Sequence, residues 1–560
     1  MASLIGVKAL STLRQYFGPA QKALQRRRGS VAGWSCAPIL LACLLALLSL
    51  TAIVGCGGGE EEAASGSKTL KIAVAFNPGS LDPDIFYGSE GLLVTTSCYE
   101  GLLRYKDNST KIEPALAKSY SITNAGKTYT FHLQPNVTFA DGSKLTSKVL
   151  KFDIERRKAL AGGPSYMVAN VAKVDTPDPL TLVIHLSKTT NPFLAYLASP
   201  YGLKAISQVA IKAHSSANDP WAKNWLASHS AGTGPYVLSN VQSNQFYNMA
   251  ANSEYWGSPA PYYSTIQISQ VPSFATQQLE LRSGSLDLMT HGLTPKEVES
   301  FKQDSSFQVK VLPSIVVADL WINPHKEPFT DPRVREAAQM AINRPRLMKE
   351  VFGISGQVVN EIASPGTLPA KYGGSYEVSY DPAKAKQTVE SLLPSGQRKV
   401  TIYYQTNNAA NQQLGGLIAA ELSAVGFEAV NQGVPETAIY SYHSASEDKR
   451  PNMLIDVGNP DDADPTSSTQ TKWLNTPSAT GFFNPYSDEG DRLVFEGEEQ
   501  ASTQRAYEFY GKAFDAYGAL HVVVPLGAVN TVVVARNGIS GIAAQRQGSF
   551  LINLTTLKGE

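Results

Sequence analysis

Segments with the two-residue repeat of β-strands alternate along this chain with segments that have the period of α-helices. Residues 68–76, KTLKIAVAF, and 127–139, KTYTFHLQPNVTF, both predict strands, and in the second Tyr129, Phe131 and Leu133 share one face. Residues 399–432 predict a β-α-β unit: the strand KVTIYYQT, the helix NQQLGGLIAAELSAVG and the strand FEAVNQ. This alternation predicts an α/β architecture. Because 560 residues exceed what one compact core accommodates, at least two domains are expected.

The clearest helix is predicted to begin in DPRVREAAQMAI, residues 331–342. Asp331 suits the N-cap and Pro332 the first helical position. Apolar residues then recur at helical spacing and form a stripe for burial: Val334, Ala337, Ala338, Ala341 and Ile342. Pro345 interrupts the pattern, and a second short helix is expected to end at Gly353.

The N-terminal region reads as an export signal. Residues 37–54, APILLACLLALLSLTAIV, carry no charge and follow the basic Arg26-Arg27-Arg28. A basic stretch before an apolar one is typical of a signal peptide, which we assign to residues 1–55. The apolar run is near the lower limit for spanning a bilayer, so a permanent transmembrane anchor stays open as an alternative.

Cys56 stands where the apolar run gives way to glycines and glutamates. The preceding Ile53-Val54-Gly55 with Cys56 resembles the bacterial lipobox, whose cysteine is lipidated and becomes the mature N-terminus. Residues 56–67 would then be a lipidated cysteine and a flexible linker, and the acyl chains would hold the protein at the outer side of the cytoplasmic membrane. After removal of Cys36 and Cys43 with the signal, only Cys98 remains, so no intramolecular disulfide is expected and Cys98 should pack as a small hydrophobe.

Charge and motifs exclude several classes of function. The chain is formally neutral, but residues 1–55 contain six basic and no acidic residues, which leaves the remainder acidic and argues against nucleic-acid binding. It contains no H-E-x-x-H and no G-x-S-x-G motif, and its eight histidines lack ligand spacing. We therefore expect no catalytic residues, no metal site and no cofactor. An extracytoplasmic hydrolase is the less favoured alternative to a binding protein.

Five segments, in order, resemble the dipeptide/oligopeptide class, family 5, of extracellular solute-binding proteins of ABC importers. The first is LDP…CYEGLLRY at 81–105, and the longest is PALAKSYSITNAGKTYTFHLQPNVTFADGSKLTSKVLKF at 114–152. GTGPYVL with NSEYWG at 232–257, LRSGSLDL at 281–288 and NPHKEPFTDPRVREAAQMAINRPRL at 323–347 follow. Together with later segments, the resemblance extends from about residue 70 to residue 526.

The resemblance implies an α/β, two-lobed fold of the type II periplasmic-binding-protein kind, with an extra subdomain in lobe one. On this basis lobe one would comprise residues 68–309 and 525–560, with the extra subdomain at about 107–175, and lobe two residues 310–524. Gly232 and Gly234 lie near an expected crossing between lobes, where either backbone freedom or a tight turn would explain them.

The function implied is capture of a peptide-like solute between closing lobes by a monomeric receptor. The receptor would deliver the solute to a membrane permease driven by an ATPase. A ligand-binding sensor or a surface chaperone without a transport partner is the alternative, since lobe closure is the same in both. Peptides lead as the solute, while glycans, opines and metal chelates stay open.

The segment LIDVGNPDDADPTS, residues 454–467, is similar to the family's cleft segment. By this resemblance Asp461 takes the place of the carboxylate that binds a peptide's α-ammonium group, and the backbone of Val457, Gly458 and Asn459 would pair with an extended peptide. The alternative is a solvated turn in which the aspartates cap backbone amides.

Two positions of this segment depart from the family pattern. Gly458 stands where the family commonly has Trp, and Asp462 where it often has Tyr. The cleft would therefore lose two aromatic side chains and become more polar. Trp473 and Tyr486 are candidates to line the cleft instead, although a core or surface role is the favoured interpretation for each. A calcium loop does not fit the same acids, because the spacing lacks the required oxygens and glycine.

Overall fold

A computed structural model describes residues 68–75, 79–89, 91–406, 408–442, 445–446, 449–467, 469, 473–474, 487–545 and 551–559. The predicted signal peptide, the linker, Cys56, Phe76 and Tyr486 lie outside these residues. Within them, helices and mixed sheets alternate as an α/β chain should, which confirms the predicted class. Among the described helices, none has the length and apolar character needed to cross a bilayer.

A seven-stranded sheet organises the first part of the chain. The strand that comes first in the chain, Thr69–Val74, lies parallel to its two neighbours, and the other pairings in the sheet are antiparallel. In spatial order the strands are Phe307–Leu312, Thr531–Arg536, Leu288–Met289, Thr69–Val74, Thr265–Gln270, Phe246–Ala251 and Tyr236–Gln242.

A six-stranded sheet organises the second part. Its strands in spatial order are Gly356–Gln357, Val523–Val529, Val317–Ile322, Met453–Gly458, Lys399–Gln405 and Glu428–Val434. Lys399–Gln405 runs parallel to both its neighbours, which confirms the β-α-β unit predicted around the helix Ala409–Ala424. Gly426 after that helix has a φ of +102°, a conformation that suits glycine at a helix end.

A separate four-stranded antiparallel sheet is inserted within the first part. Its strands in order are Ala117–Thr123, Thr128–Leu133, Thr181–Leu186 and Val171–Asp178, with the helix Ser147–Leu160 in the same insertion. In its second strand Tyr129, Phe131 and Leu133 are buried and His132 is exposed, as the alternation predicted. Two small hairpins complete the strands: Leu103–Tyr105 with Ile112–Pro114, and Ile539–Ser540 with Lys558–Gly559.

The helices of the described residues surround these sheets. In the first part they are Leu92–Cys98, Ser147–Leu160, Phe193–Ala198, Gln208–His214, Lys223–Leu226, Phe274–Ser283 and Pro295–Lys302. In the second part they are Pro332–Met340, Arg344–Leu347, Pro382–Leu392, Ala409–Ala424, Glu436–Ser441, Asp488–Glu498 and Thr503–Gly518.

The helix Pro332–Met340 begins as predicted. The side chain of Asp331 accepts a hydrogen bond from the amide of Arg333, and Pro332 occupies the first turn. The five residues of the predicted stripe are all buried. Pro345 opens the next helix, Arg344–Leu347, whose N-cap is Asn343, and so separates the two helices.

The chain crosses between the two large sheets at 313–316 and again at Asn530. The crossings are joined: Ser314 Oγ donates to the carbonyl oxygen of Val529 at 2.8 Å, and the amide of Ser314 donates to Asn530 Oδ1 at 3.2 Å. The lobe boundaries assigned from the sequence, after residues 309 and 524, lie close to these two crossings and stay predictions.

Apolar side chains form separate cores on the faces of the sheets. The largest core joins the seven-stranded and four-stranded sheets, and two others cover the faces of the six-stranded sheet. Cys98 lies in the largest core with Sγ 3.7 Å from Met249 Sδ, and burial raises the pKa of its thiol to about 12. Cys98 therefore packs as a small hydrophobe, as predicted.

A fully buried ion-pair cluster connects the helix Ser147–Leu160 to the loop that follows the first strand. Arg156 pairs with both Asp82 and Asp84, and Arg157 Nε lies 2.7 Å from Asp84 Oδ1. All four side chains have an exposed fraction of 0%. Removing one partner of such a cluster leaves a charge without compensation in the interior.

Candidate functional site

The predicted binding segment leaves the six-stranded sheet at the end of the strand Met453–Gly458. Val457 and Gly458 are the last residues of that strand and lie opposite Ala318 and Val317. The chain then turns through residues 459–466, which we call the acid turn because it contains three aspartates. Val457, Gly458, Asn459 and Asp461 thus lie together where this strand ends.

Two of the aspartates stabilise the acid turn itself. Asp462 Oδ1 accepts from the amide of Asp464 at 2.8 Å, and Asp464 Oδ1 accepts from the amide of Thr466 at 2.9 Å. These are the capping contacts that the turn interpretation expected. Asp461 differs from them, because its carboxylate accepts hydrogen bonds from two tyrosines of the first part of the chain.

Asp461 joins the six-stranded sheet's end to the first part of the chain. Its Oδ2 accepts from Tyr166 Oη at 2.7 Å and also from Tyr87 Oη, while Ser199 Oγ donates to its carbonyl oxygen at 2.6 Å. Next to it, the amide of Ala463 donates to Tyr105 Oη at 3.0 Å. The acid turn is therefore held between the two parts of the molecule by neutral donors.

Burial sets the ionisation of the acid turn. It raises the pKa of Asp461, and the hydrogen bonds from Tyr87 and Tyr166 offset only part of that rise. Burial also raises the pKa of Asp464, and it raises the pKa of Asp462 well above its usual range with a further contribution from the nearby Asp464.

These carboxyl groups have no cation beside them in the described part of the chain. None of the three forms an ion pair among the residues that the structure describes. Asp462 Oδ2 is buried and has no hydrogen-bond partner there. A positively charged group would compensate such a site, because an uncompensated buried carboxylate is costly.

Aromatic rings surround the tyrosines that contact Asp461. Tyr166, in the short helical segment Gly163–Val168, packs edge-on against Tyr196 with ring centroids 5.7 Å apart. Tyr87 packs edge-on against Tyr201 at 5.3 Å. The sequence reasoning missed Tyr87, Tyr166 and Ser199, since the contact between Tyr166 and Asp461 joins positions 295 residues apart.

Gly458 leaves room where the family commonly has a large side chain. A Cβ built on Gly458 would meet no atom nearer than Asp456 Oδ1 at 3.6 Å, so the absence of a side chain is not forced by crowding. Val457 is partly buried and packs against the core of the six-stranded sheet. Pairing of this backbone with a solute stays a prediction.

Trp473 lies in an apolar core on one face of the six-stranded sheet. Its exposed fraction is 1%, and its ring packs 4.8 Å from that of Trp321 and 4.6 Å from that of Tyr517. With Asp319 and Ile362 it lines a cavity of about 10 Å³, the size of one water molecule. Its role in solute binding stays a prediction.

Gly232 and Gly234 are required by close approach of backbone. Neither has a φ in the left-handed region. A Cβ on Gly232 would lie 2.0 Å from the carbonyl oxygen of Cys98, and one on Gly234 would lie 2.4 Å from that of Ser97. These glycines therefore let the strand Tyr236–Gln242 begin directly against the helix Leu92–Cys98.

Comparison with solved structures defines the fold of this protein. The crystal structure of NikA from Brucella suis in complex with Fe(III)-EDTA matches 88% of this chain and 100% of its own, at 20% identity and a TM-score of 0.78. The periplasmic binding protein DppA from Helicobacter pylori, in complex with the peptide STSA, matches 88% and 98%, at 24% identity and a TM-score of 0.73. The fold is that of the two-lobed periplasmic binding proteins.

Sequence comparison then gives the family. The model of the bacterial extracellular solute-binding proteins, family 5, matches residues 111–480. The probable D,D-dipeptide-binding periplasmic protein DdpA of Escherichia coli is 28% identical over 347 residues, which cover 60% of this chain and 65% of that relative. This chain belongs to the family 5 extracellular solute-binding proteins, a family of binding proteins rather than of enzymes.

Proposed function

We propose that this chain is a lipid-anchored receptor of an ABC importer that encloses a peptide-like solute between two lobes. Lobe one would comprise residues 68–309 and 525–560, and lobe two residues 310–524. The relatives named above include proteins described as binding a peptide or a dipeptide, which supports this class of solute. The observation that carries the proposal is the position of Asp461, a partly buried carboxylate held by donors from residues assigned to lobe one.

Asp461 binds the cationic end of the solute in this proposal. Hydrogen bonds between an ammonium group and a carboxylate contribute about 1.5–3 kcal/mol each. The carboxyl groups of the acid turn have raised pKa values and no cation beside them among the described residues, so an ammonium group improves the electrostatics of the turn. A neutral solute of the same shape gains nothing from this.

The rest of the solute would lie along the end of the strand Met453–Gly458. There the backbone of Val457, Gly458 and Asn459 pairs with extended peptide, which gives affinity that is independent of side chains. The space left by Gly458 admits a solute side chain close to the sheet. Trp473 contributes apolar wall only if the core around it opens.

Anchoring and delivery complete the proposal. Cys56 carries the acyl chains, and residues 57–67 act as the leash that lets the lobes reach a membrane permease. Solute burial against both lobes favours the closed form, and the permease with its ATPase recognises that form. The receptor works as a monomer.

Solute binding is tested with a defined peptide pool. Wild type, Asp461→Asn and the exposed control Asp488→Asn are each equilibrated with synthetic di- to pentapeptides, and retained peptides are quantified by mass spectrometry. Wild type and the control should retain peptides with a free amino terminus, and Asp461→Asn should lose them by about tenfold or more. Equal retention of free and N-acetylated peptides by wild type would refute the anchoring role of Asp461.

Anchoring needs a separate experiment. Metabolic labelling with a palmitate analogue should mark wild type and leave Cys56→Ser unlabelled. Label on Cys56→Ser, or none on wild type, would refute the lipid anchor without affecting the proposal for the solute.

A further inference from the structure

A second contact joins the two lobes away from the acid turn. The loop after the strand Thr181–Leu186 of the four-stranded sheet meets the end of the helix Asp488–Glu498. The backbone amide of Asn191 donates to the carbonyl oxygen of Glu498 at 2.7 Å, and Asn191 Nδ2 donates to the carbonyl oxygen of Gln500 at 2.9 Å. One residue thus makes two hydrogen bonds between the parts of the chain assigned to different lobes.

The acceptors suit this contact because they lie at a helix C-terminus. The last carbonyl groups of a helix lack donors within it and carry the negative end of its dipole. Glu498 is the last residue of its helix, so the amide and the side chain of Asn191 act as a C-terminal cap supplied by the other lobe. Donor groups belong at such an end, whereas a carboxylate is repelled from it.

The loop that carries Asn191 is braced within its own lobe. Asn170 Nδ2 donates to Thr190 Oγ1 at 2.9 Å, and Thr189 Oγ1 donates to the carbonyl oxygen of Ala125, also at 2.9 Å. A Cβ on the neighbouring Gly126 would lie only 3.4 Å from Ala501 Cα, so the turn at 124–126 also packs against lobe two. The donor is therefore presented from a fixed surface.

We propose that Asn191 is a latch residue that stabilises the closed lobes by capping the helix Asp488–Glu498, and that it sets affinity for every solute without touching any. Its two hydrogen bonds exist only when the lobes are together, so they shift the balance between open and closed forms. The inference rests on the lobe closure of the proposed function, but its test uses no solute and so does not depend on which solute binds.

Hydrogen–deuterium exchange of the full chain without solute tests the latch. The variants are Asn191→Ala, which keeps the backbone amide, and Asn191→Asp, which places a carboxylate oxygen against the carbonyl oxygen of Gln500. The control is Asn224→Ala, an exposed position on the helix Lys223–Leu226. The remote reporter is the amide of Ala463, which donates to Tyr105 at the acid turn.

Opening of the lobes should raise exchange both around Asn191 and at the acid turn. With Asn191→Ala, exchange at residues 187–193 and at Ala463 should rise by about fivefold, the factor that corresponds to one net hydrogen bond. Exchange at the same residues should rise further in Asn191→Asp, and in the control Asn224→Ala it should equal that of wild type. The strand Met453–Gly458 should keep its protection from exchange in all variants. Faster exchange at 187–193 alone, or at neither place, would overturn the proposal.

The peptide pool supplies a second readout. Asn191→Ala should weaken retention of every peptide that wild type holds by one common factor, because a latch changes closure and not recognition. A change in the order of preference among peptides would overturn the proposal. If wild type holds no peptide, the proposed solute is wrong, while the exchange result still decides the latch.

Discussion

Replacing Asp462 with asparagine should stabilise the protein, and more so as the pH rises. Asp462 is fully buried in the acid turn, where Oδ1 accepts from the amide of Asp464 and Oδ2 has no partner among the described residues. Asparagine keeps the shape and the Oδ1 acceptor. It removes the ionisable group and places a donor where Oδ2 was, close to the carboxyl groups of Asp461 and Asp464.

The direction of this pH dependence follows from the pKa of Asp462, which burial raises well above the ordinary value of 3.8. The folded protein therefore binds this proton more tightly than the unfolded chain does, and that contribution to stability is complete only below about pH 3.8. It is lost as the pH rises through the folded pKa, where wild type must hold a charged group in its interior. Asp462→Asn has no such loss.

The size of the effect follows from the unpartnered oxygen. A buried polar atom without a hydrogen bond costs about 1–3 kcal/mol, and more when it is charged. Asp462→Asn should thus change the free energy of unfolding little near pH 4 and raise it by about 1–3 kcal/mol near pH 8.

Urea unfolding at about pH 4, 6 and 8 measures this difference, with Asp488→Asn as an exposed control whose effect should be small at each pH. A gain for Asp462→Asn that does not grow with pH would refute the reasoning. So would a loss of stability at pH 8.

Four further substitutions test the packing and the helix that support the site. Arg156→Ala should lower the free energy of unfolding by about 3–5 kcal/mol, because it leaves the buried Asp82 without a cation and Asp84 with Arg157 alone; a change below 1 kcal/mol would contradict this. Gly232→Ala should cost about 1–3 kcal/mol through its clash with Cys98. By contrast, Gly416→Ala, with open space in a helix interior, should stabilise by about 0.5–1 kcal/mol. Trp473→Ala should cost about 3–5 kcal/mol in urea unfolding, and an unchanged midpoint would place its ring outside the core.

Local patterns in the sequence were sufficient for much of the fold. The helix Pro332–Met340 was predicted because the capping signals of Asp331 and Pro332 lie within its first turn, and because its apolar stripe recurs over about three turns. The strand Thr128–Leu133 was predicted because alternation is a property of neighbouring residues. Such signals do not depend on residues that are distant in the sequence. The two lobes were expected from the family resemblance of five segments in order.

The partners of Asp461 could not be predicted in this way. Tyr87 and Tyr166 lie 374 and 295 residues from it in the sequence, and neither Tyr87 nor the short helical segment Gly163–Val168 has a local pattern that points to Asp461. The two explanations offered for Gly232, backbone freedom and a tight turn, did not include the close approach of Cys98, because that contact joins segments distant in the sequence. The latch at Asn191 joins a loop to backbone carbonyls, which no side-chain motif records.

In the proposed mechanism, the contacts at Asp461 and at Asn191 have different effects on binding. A hydrogen bond that forms on closure whatever the solute, as at Asn191, adds the same free energy for all solutes and changes none of their ratios. Discrimination must come from groups that meet the solute, and a partly buried carboxylate such as Asp461 favours a cationic end over a neutral one. Substitutions at Asn191 should therefore scale all affinities together, while those at Asp461 should alter the preference for charge. In Asn191→Ala combined with Asp461→Asn the two losses should add in free energy, because one acts on closure and the other on recognition.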